Sequence, residues 1–74
     1  MDEGFILSNK YRRIIFDELI SGETNLDRIA KKHHIVRRVV QRVIDEFMNG
    51  GLIEKRENTY ILTEKGKKLA QSIG

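Results

Sequence analysis

Residues 33–53 read HHIVRRVVQRVIDEFMNGGLI, and the folding of this stretch decides the reading of the whole chain. Val40, Ile44 and Phe47 recur at i, i+4 and i+7, which lines side chains along one stripe of an α-helix. Val36, Val43 and part of Val39 widen that stripe toward neighbouring helices. Arg38, Gln41, Arg42 and Asp45 fall on the opposite side. The pattern predicts a helix over about 36–49, anchored by its apolar stripe and presenting a guanidinium, an amide and a guanidinium outward. Asn49, Gly50 and Gly51 then supply the left-handed exit that a helix C-terminus favours.

Toward the N-terminus the spacing predicts two more helices. Ser8 is the expected N-cap of the first, over about 8–21, with Tyr11, Ile15, Phe16, Leu19 and Ile20 at helical spacing. Lys10, Arg13 and Asp17 take its other side, and Ser21 with Gly22 end it. Thr24 followed by Asp27 reads as a capping box for a second helix over about 25–32, with Leu26, Ile29 and Ala30 inward. His33 and His34 form the turn into the basic helix.

Past the glycines the period changes. LIEKR and TYILT flank Glu57-Asn58 as the arms of a hairpin over about 52–62, rich in branched and aromatic residues. Thr63 is the expected cap of a last helix over about 64–73, with Leu69 and Ile73 as its buried contacts and Gly66 in its first turn. Phe5, Ile6 and Leu7 are apolar without an evident place among the three helices. They are expected to form a dimer contact or to pack on the last helix, so truncation before Ser8 should leave a folded domain with altered self-association.

Composition narrows the function classes. A chain of 74 residues makes one domain with one small core, too small to enclose a deep catalytic cleft. It has no cysteine, which excludes disulfides, thiolate nucleophiles and cysteine zinc sites and suits a reducing compartment. No apolar run approaches the roughly 20 residues needed to span a bilayer, and the opening MDEGFILSNK lacks the basic region of a secretory signal. A mature, soluble chain without membrane association is expected.

Charge is the informative property. Net charge is only +3, yet between Asp27 and Asp45 stand Arg28, Lys31, Lys32, Arg37, Arg38 and Arg42 with no acid among them. Such a local basic surface attracts polyanions, nucleic acid first among them, and the plain alternative is a solvated helix face.

The order helix, helix, turn, basic helix, hairpin, helix resembles the winged helix-turn-helix family of small archaeal and bacterial transcription regulators. Leu26, Ile29, Ala30 and Ile35 carry the resemblance in the helix-turn-helix, with Val40, Ile44 and Phe47 in the third helix. GGLIEK enters the hairpin and YILTEKG leaves it. The fold class implied is α+β, mostly α, with a three-helix core, a short hairpin wing and a C-terminal helix in one domain over 1–74. In this family the third helix enters the major groove and the wing lies over adjacent phosphates or the minor groove. The chain departs from the family in its turn, which usually carries a glycine and then a Ser or Thr cap. Here His33 and His34 stand in the turn and Val36 stands where the cap would be. The wing is short, with Lys55 and Arg56 as its positive charges.

With that placement, residue chemistry assigns roles. Arginine can pair with guanine O6 and N7 and glutamine with adenine N6 and N7, which makes Arg38, Gln41 and Arg42 the candidate base-reading set. Lys31, Lys32, Arg37, Lys55 and Arg56 are the candidate phosphate contacts. His33 and His34 have no Cys, third His or carboxylate at zinc spacing, so no metal site is expected. Asp17 with Glu18 and Asp45 with Glu46 are consecutive helical acids that point apart, which is no acid-base pair.

The expectation is therefore sequence-specific double-stranded DNA binding by a transcription regulator, in the cytoplasm with the nucleoid. It includes no catalysis, no cofactor and no small-molecule ligand, and it includes a homodimer. The alternative is a winged-helix adaptor whose basic helix meets an acidic protein. RNA is disfavoured because exposed aromatics able to stack on bases are scarce.

Overall fold

The computed structural model describes residues 2–73. Its elements in chain order are α1 (Glu3–Leu7), α2 (Lys10–Ile20), α3 (Leu26–His33), α4 (Arg37–Asn49), β1 (Ile53–Arg56), β2 (Thr59–Leu62) and α5 (Glu64–Ile73). The strands pair antiparallel from Ile53 opposite Leu62 to Arg56 opposite Thr59. Glu57 and Asn58 make the turn, with Glu57 in the left-handed region at φ +56°. The architecture is the expected one, mostly helical with one hairpin and a C-terminal helix.

The core forms where α2, α3 and α4 turn their apolar sides to one another. Phe16 of α2 meets Phe47 of α4 edge to face, with centroids 5.6 Å apart and an interplanar angle of 71°. Ile15, Ile29, Val40, Ile44 and Leu52 are fully buried around them. Leu69 and Ile73 of α5 are half-buried against this core, as their spacing suggests.

The N-terminal segment is part of this core, and of the two places expected for it the structure shows the packing on the last helix. Ile6 is 1% exposed, and α1 packs on both α2 and α5. Arg12 of α2 fixes it further by donating from Nη1 to the Phe5 carbonyl at 3.2 Å, with its guanidinium 3.7 Å from the Phe5 ring centroid. The same guanidinium makes a two-pronged bond to Glu46 of α4, at 3.1 Å and 3.0 Å. Removing residues before Ser8 therefore strips a buried isoleucine and half the surroundings of Arg12.

Asparagine caps both helices that were expected to start from hydroxyl residues. Asn9 Oδ1 accepts from the amides of Tyr11 and Arg12, while Ser8 closes α1. Asn25 Oδ1 accepts from Asp27 and Arg28, so the Thr24–Asp27 capping box does not form. In each case a neighbouring residue of equal capping power takes the position. Three apolar assignments also change. Tyr11 and Ile20 stay 40% and 44% exposed on α2, and Val36, expected to widen the stripe of α4, is 64% exposed. Val36 precedes the first helical residue at φ −58°, ψ 132°, so the 3.6-residue period does not reach it.

α2, α3 and α4 end alike. In each, the amide five residues on reaches back to close the last turn, through Glu23 to Glu18, Ile35 to Ala30, and Leu52 to Phe47, at 2.9–3.0 Å. This closure needs a left-handed residue just before that amide. Gly22 and Gly51 fill it after α2 and α4, and His34 fills it after α3 at φ 55°, ψ 42°. A left-handed non-glycine residue costs about 1–2 kcal/mol, offset by about 0.5–1 kcal/mol for the greater freedom of glycine in the unfolded chain. His34→Gly is thus expected to stabilise the fold and raise Tm by about 2–8 °C. A thermal melt reads this directly, and an unchanged or lower Tm would mean that the imidazole itself stabilises the turn.

Candidate nucleic-acid interface

Burial of Val40, Val43, Ile44 and Phe47 fixes the rotation of α4. Arg38, Arg42, Asp45 and Asn49, spaced by one helical turn after another, therefore point away from the core, and all are exposed. Among the described residues, neither Arg38 nor Arg42 has a carboxylate within ion-pair distance. Like charges one turn apart repel by a few tenths of a kcal/mol, so nothing in the fold itself favours this pair.

The other basic side chains are differently placed. Arg37 Nε donates to Asp27 Oδ1 of α3 at 2.8 Å, and its Nη1 donates to Gln41 Oε1 at 3.1 Å. Gln41 Nε2 in turn donates to Asp45 Oδ1 at 3.0 Å. Gln41 is half-buried and has each end of its amide engaged once, which leaves one N–H and one lone pair for an adenine. Arg37 and Gln41 stand as a bridge between α3 and α4, while Arg38 and Arg42 stand clear.

On α3, Lys31 is exposed with no carboxylate partner among the described residues. Lys32 instead reaches back to α2, where its Nζ donates to Glu18 Oε2 at 2.8 Å. His33 Nε2 donates to the same oxygen at 2.8 Å. These two donors hold the Glu18 carboxyl below the usual carboxylate range and outweigh its partial burial, and the carboxylate raises the Lys32 ammonium in return. This cluster locks α3 onto α2. His33 thus has a structural partner, and His34 is the left-handed turn residue.

The hairpin comes to the same side of the molecule as the start of α4. A cleft of about 360 Å³ lies between them, lined by Asn25, Asp27, Arg37, Lys55, Asn58 and Thr59 among others. Lys55 is exposed, its Nζ 5.7 Å from the Tyr60 ring centroid, and next to it Arg56 Nε donates to Glu54 Oε1 at 3.1 Å. Of the eight basic and amide side chains singled out from sequence, Arg38, Arg42, Lys31 and Lys55 are exposed and unpaired among the described residues. Arg37, Gln41, Lys32 and Arg56 are each held by an acid or amide within the protein.

Sequence reasoning missed Asp27 and Asp45 as the acids that hold Arg37 and Gln41. Only the four-residue spacing of Gln41 and Asp45 carried a hint of this, because Asp27 and Arg37 meet across a turn. Val36 holds the cap position expected of it, without a side-chain cap, and stands exposed at the leading end of this surface rather than in the apolar stripe.

Among the described residues no helix is long and apolar enough to cross a membrane. No curated protein and no solved structure matches the chain. Residues 10–74, from the start of α2 to the end of the chain, match the winged helix-turn-helix family. With α3 and α4 as its helix-turn-helix and the β1–β2 hairpin as its wing, the chain belongs to the winged helix-turn-helix family, whose domains generally bind DNA.

Proposed function

We propose that this domain binds double-stranded DNA sequence-specifically as a transcription regulator, with α4 in the major groove and the wing along the phosphates. The observation that carries the reading is the pair Arg38 and Arg42, one turn apart on the exposed side of α4 and without an acidic partner among the described residues. Each can make a bidentate bond to guanine O6 and N7. Gln41 joins them as an adenine reader through the N–H and lone pair that Arg37 and Asp45 leave unused. Lys31 and Lys55 flank them as phosphate contacts, and Lys32, Arg37 and Arg56 add to the positive field from within their ion pairs.

In this reading the domain is a binding module and not an enzyme, needs no cofactor, and works with the nucleoid in the cytoplasm. It acts as a homodimer in which Leu7, the residue of α1 left 46% exposed, contributes to the contact.

The test is selection of bound sequences from a random duplex pool, followed by titration of the selected duplex at several salt concentrations. A consensus is expected, palindromic for a two-fold dimer. The logarithm of affinity should fall with that of salt by about 0.9 per neutralised phosphate, hence by about 4.5 per protomer, or about 9 for the dimer, if all five candidate cations engage. A pool without consensus and a flat salt response would reject the reading in favour of the protein adaptor.

A further inference from the structure

We infer that Val36 reads the C5-methyl group of a thymine in the major groove, at the leading end of α4. The inference rests on the DNA reading proposed above and adds to it an apolar contact beside the arginines.

Val36 occupies the N-cap position of α4, where Ser, Thr, Asp or Asn would hydrogen-bond the open amides of the first turn. No side chain performs that capping here. The valine is also not recruited to the core: at 64% exposed it is the most exposed large hydrophobic residue among the described residues, against 39–46% for Leu7, Tyr11, Ile20 and Met48. The position thus gives up a cap and shows apolar surface to water, and folding gains from neither.

The backbone around it is nevertheless rigid. The Val36 carbonyl accepts from the amides of Val39 at 2.9 Å and Val40 at 3.3 Å. Ile35, immediately before it, is 8% exposed and donates to the Ala30 carbonyl at 2.9 Å. A β-branched side chain on so fixed a backbone has little rotamer freedom left to lose. It presents two methyl groups from a held backbone, one residue before Arg37 and two before Arg38.

Helix-turn-helix domains bring the N-terminal residues of the recognition helix to the base edges. Among the four base pairs only A·T and T·A offer an apolar group in the major groove, the thymine methyl. A rigid, uncharged pair of methyls at this place matches that group and has no hydrogen bond to offer any other base.

The experiment replaces each thymine of the selected duplex by deoxyuridine, one at a time, which removes only the methyl group. Affinities are measured for the wild type, Val36→Ala and Val36→Thr. In the wild type one substitution per half-site is expected to weaken binding about three- to fivefold, the worth of one buried methyl. In Val36→Ala that sensitivity should vanish while the other positions keep theirs. Val36→Thr keeps a methyl and adds a capping hydroxyl, so it should retain the sensitivity and melt at a higher temperature, which separates base reading from folding. If no thymine responds in the wild type, or if the response persists unchanged in Val36→Ala, Val36 is not the reader and the inference falls while DNA binding stands. If the wild type binds no duplex selectively, the inference and the functional reading fall together.

Discussion

Gly66→Ala is expected to destabilise the fold by about 3 kcal/mol or more, a large share of the roughly 4–11 kcal/mol that a domain of this length holds. By local preference the sign should be the reverse, because alanine in a helix is favoured over glycine by about 1 kcal/mol. Space decides against it. A Cβ at Gly66 would clash with the Leu52 carbonyl oxygen at a separation that real Cβ atoms essentially never show, and would lie 3.1 Å from its carbon, tighter than nearly all real Cβ contacts.

Neither neighbour can move aside. Leu52 is fully buried, its amide closes α4 through Phe47, and its carbonyl accepts from Thr63 at 2.9 Å. Thr63 pins the other side by donating from Oγ1 to the Gly51 carbonyl at 2.6 Å and accepting from the Gly66 amide at 3.1 Å. The first turn of α5 is therefore clamped on the backbone that leaves α4, and a methyl group between them must pry the two apart. A drop in Tm of more than about 10 °C is expected in a thermal melt, and an unchanged or raised Tm would show that α5 can slide off Leu52 without loss.

Gly66 also marks what could be read from sequence. A glycine in a helical pattern suggests either a weak turn or a close approach, and only the three-dimensional path of Leu52 decides between them. The three-helix core was legible because Ile15, Phe16 and Leu19, then Leu26, Ile29 and Ala30, then Val40, Ile44 and Phe47 each keep helical spacing, and all are buried. The caps were legible in kind but not in place: Ser8 and Asn9, or Thr24 and Asn25, are adjacent residues of similar capping power, and spacing alone does not separate them. α1 was not legible, since a five-residue helix with Ile6 as its one buried residue has no period to detect.

The candidate site divides along the same line. Which side of α4 faces outward follows from its apolar stripe, and that places Arg38 and Arg42 correctly with respect to the core. Which cations remain unpaired depends on contacts between helices, Asp27 with Arg37, Glu18 with Lys32, and Arg12 with Glu46, that no local pattern encodes. Val36 stands at the cap position, as its place after the turn implies, but not in the apolar stripe, because the helical period begins only at Arg37.

Replacing Arg38 and Arg42 together by alanine is the change expected to do most to DNA binding. Each arginine, if bidentate to a guanine, should contribute about 1–3 kcal/mol to specific affinity, so the double variant loses about 2–6 kcal/mol and relaxes two base positions of the consensus. Stability should not fall. Both side chains are exposed and unpaired among the described residues, alanine is the better helix former, and their mutual repulsion one turn apart disappears. A melt of the double variant at or slightly above the wild-type Tm would exclude unfolding as the cause of lost affinity. The decisive comparison is between specific and random duplexes. Base-reading arginines should cost the variant far more on the selected sequence than on random DNA, so the ratio of the two affinities should shrink toward unity. Two phosphate contacts would instead weaken both alike and make the salt dependence shallower by about 1.8, leaving the ratio untouched. That second pattern would remove Arg38 and Arg42 from the reading surface and leave sequence recognition to Gln41, whose amide has one N–H and one lone pair beyond those engaged by Asp45 and Arg37 to offer an adenine edge.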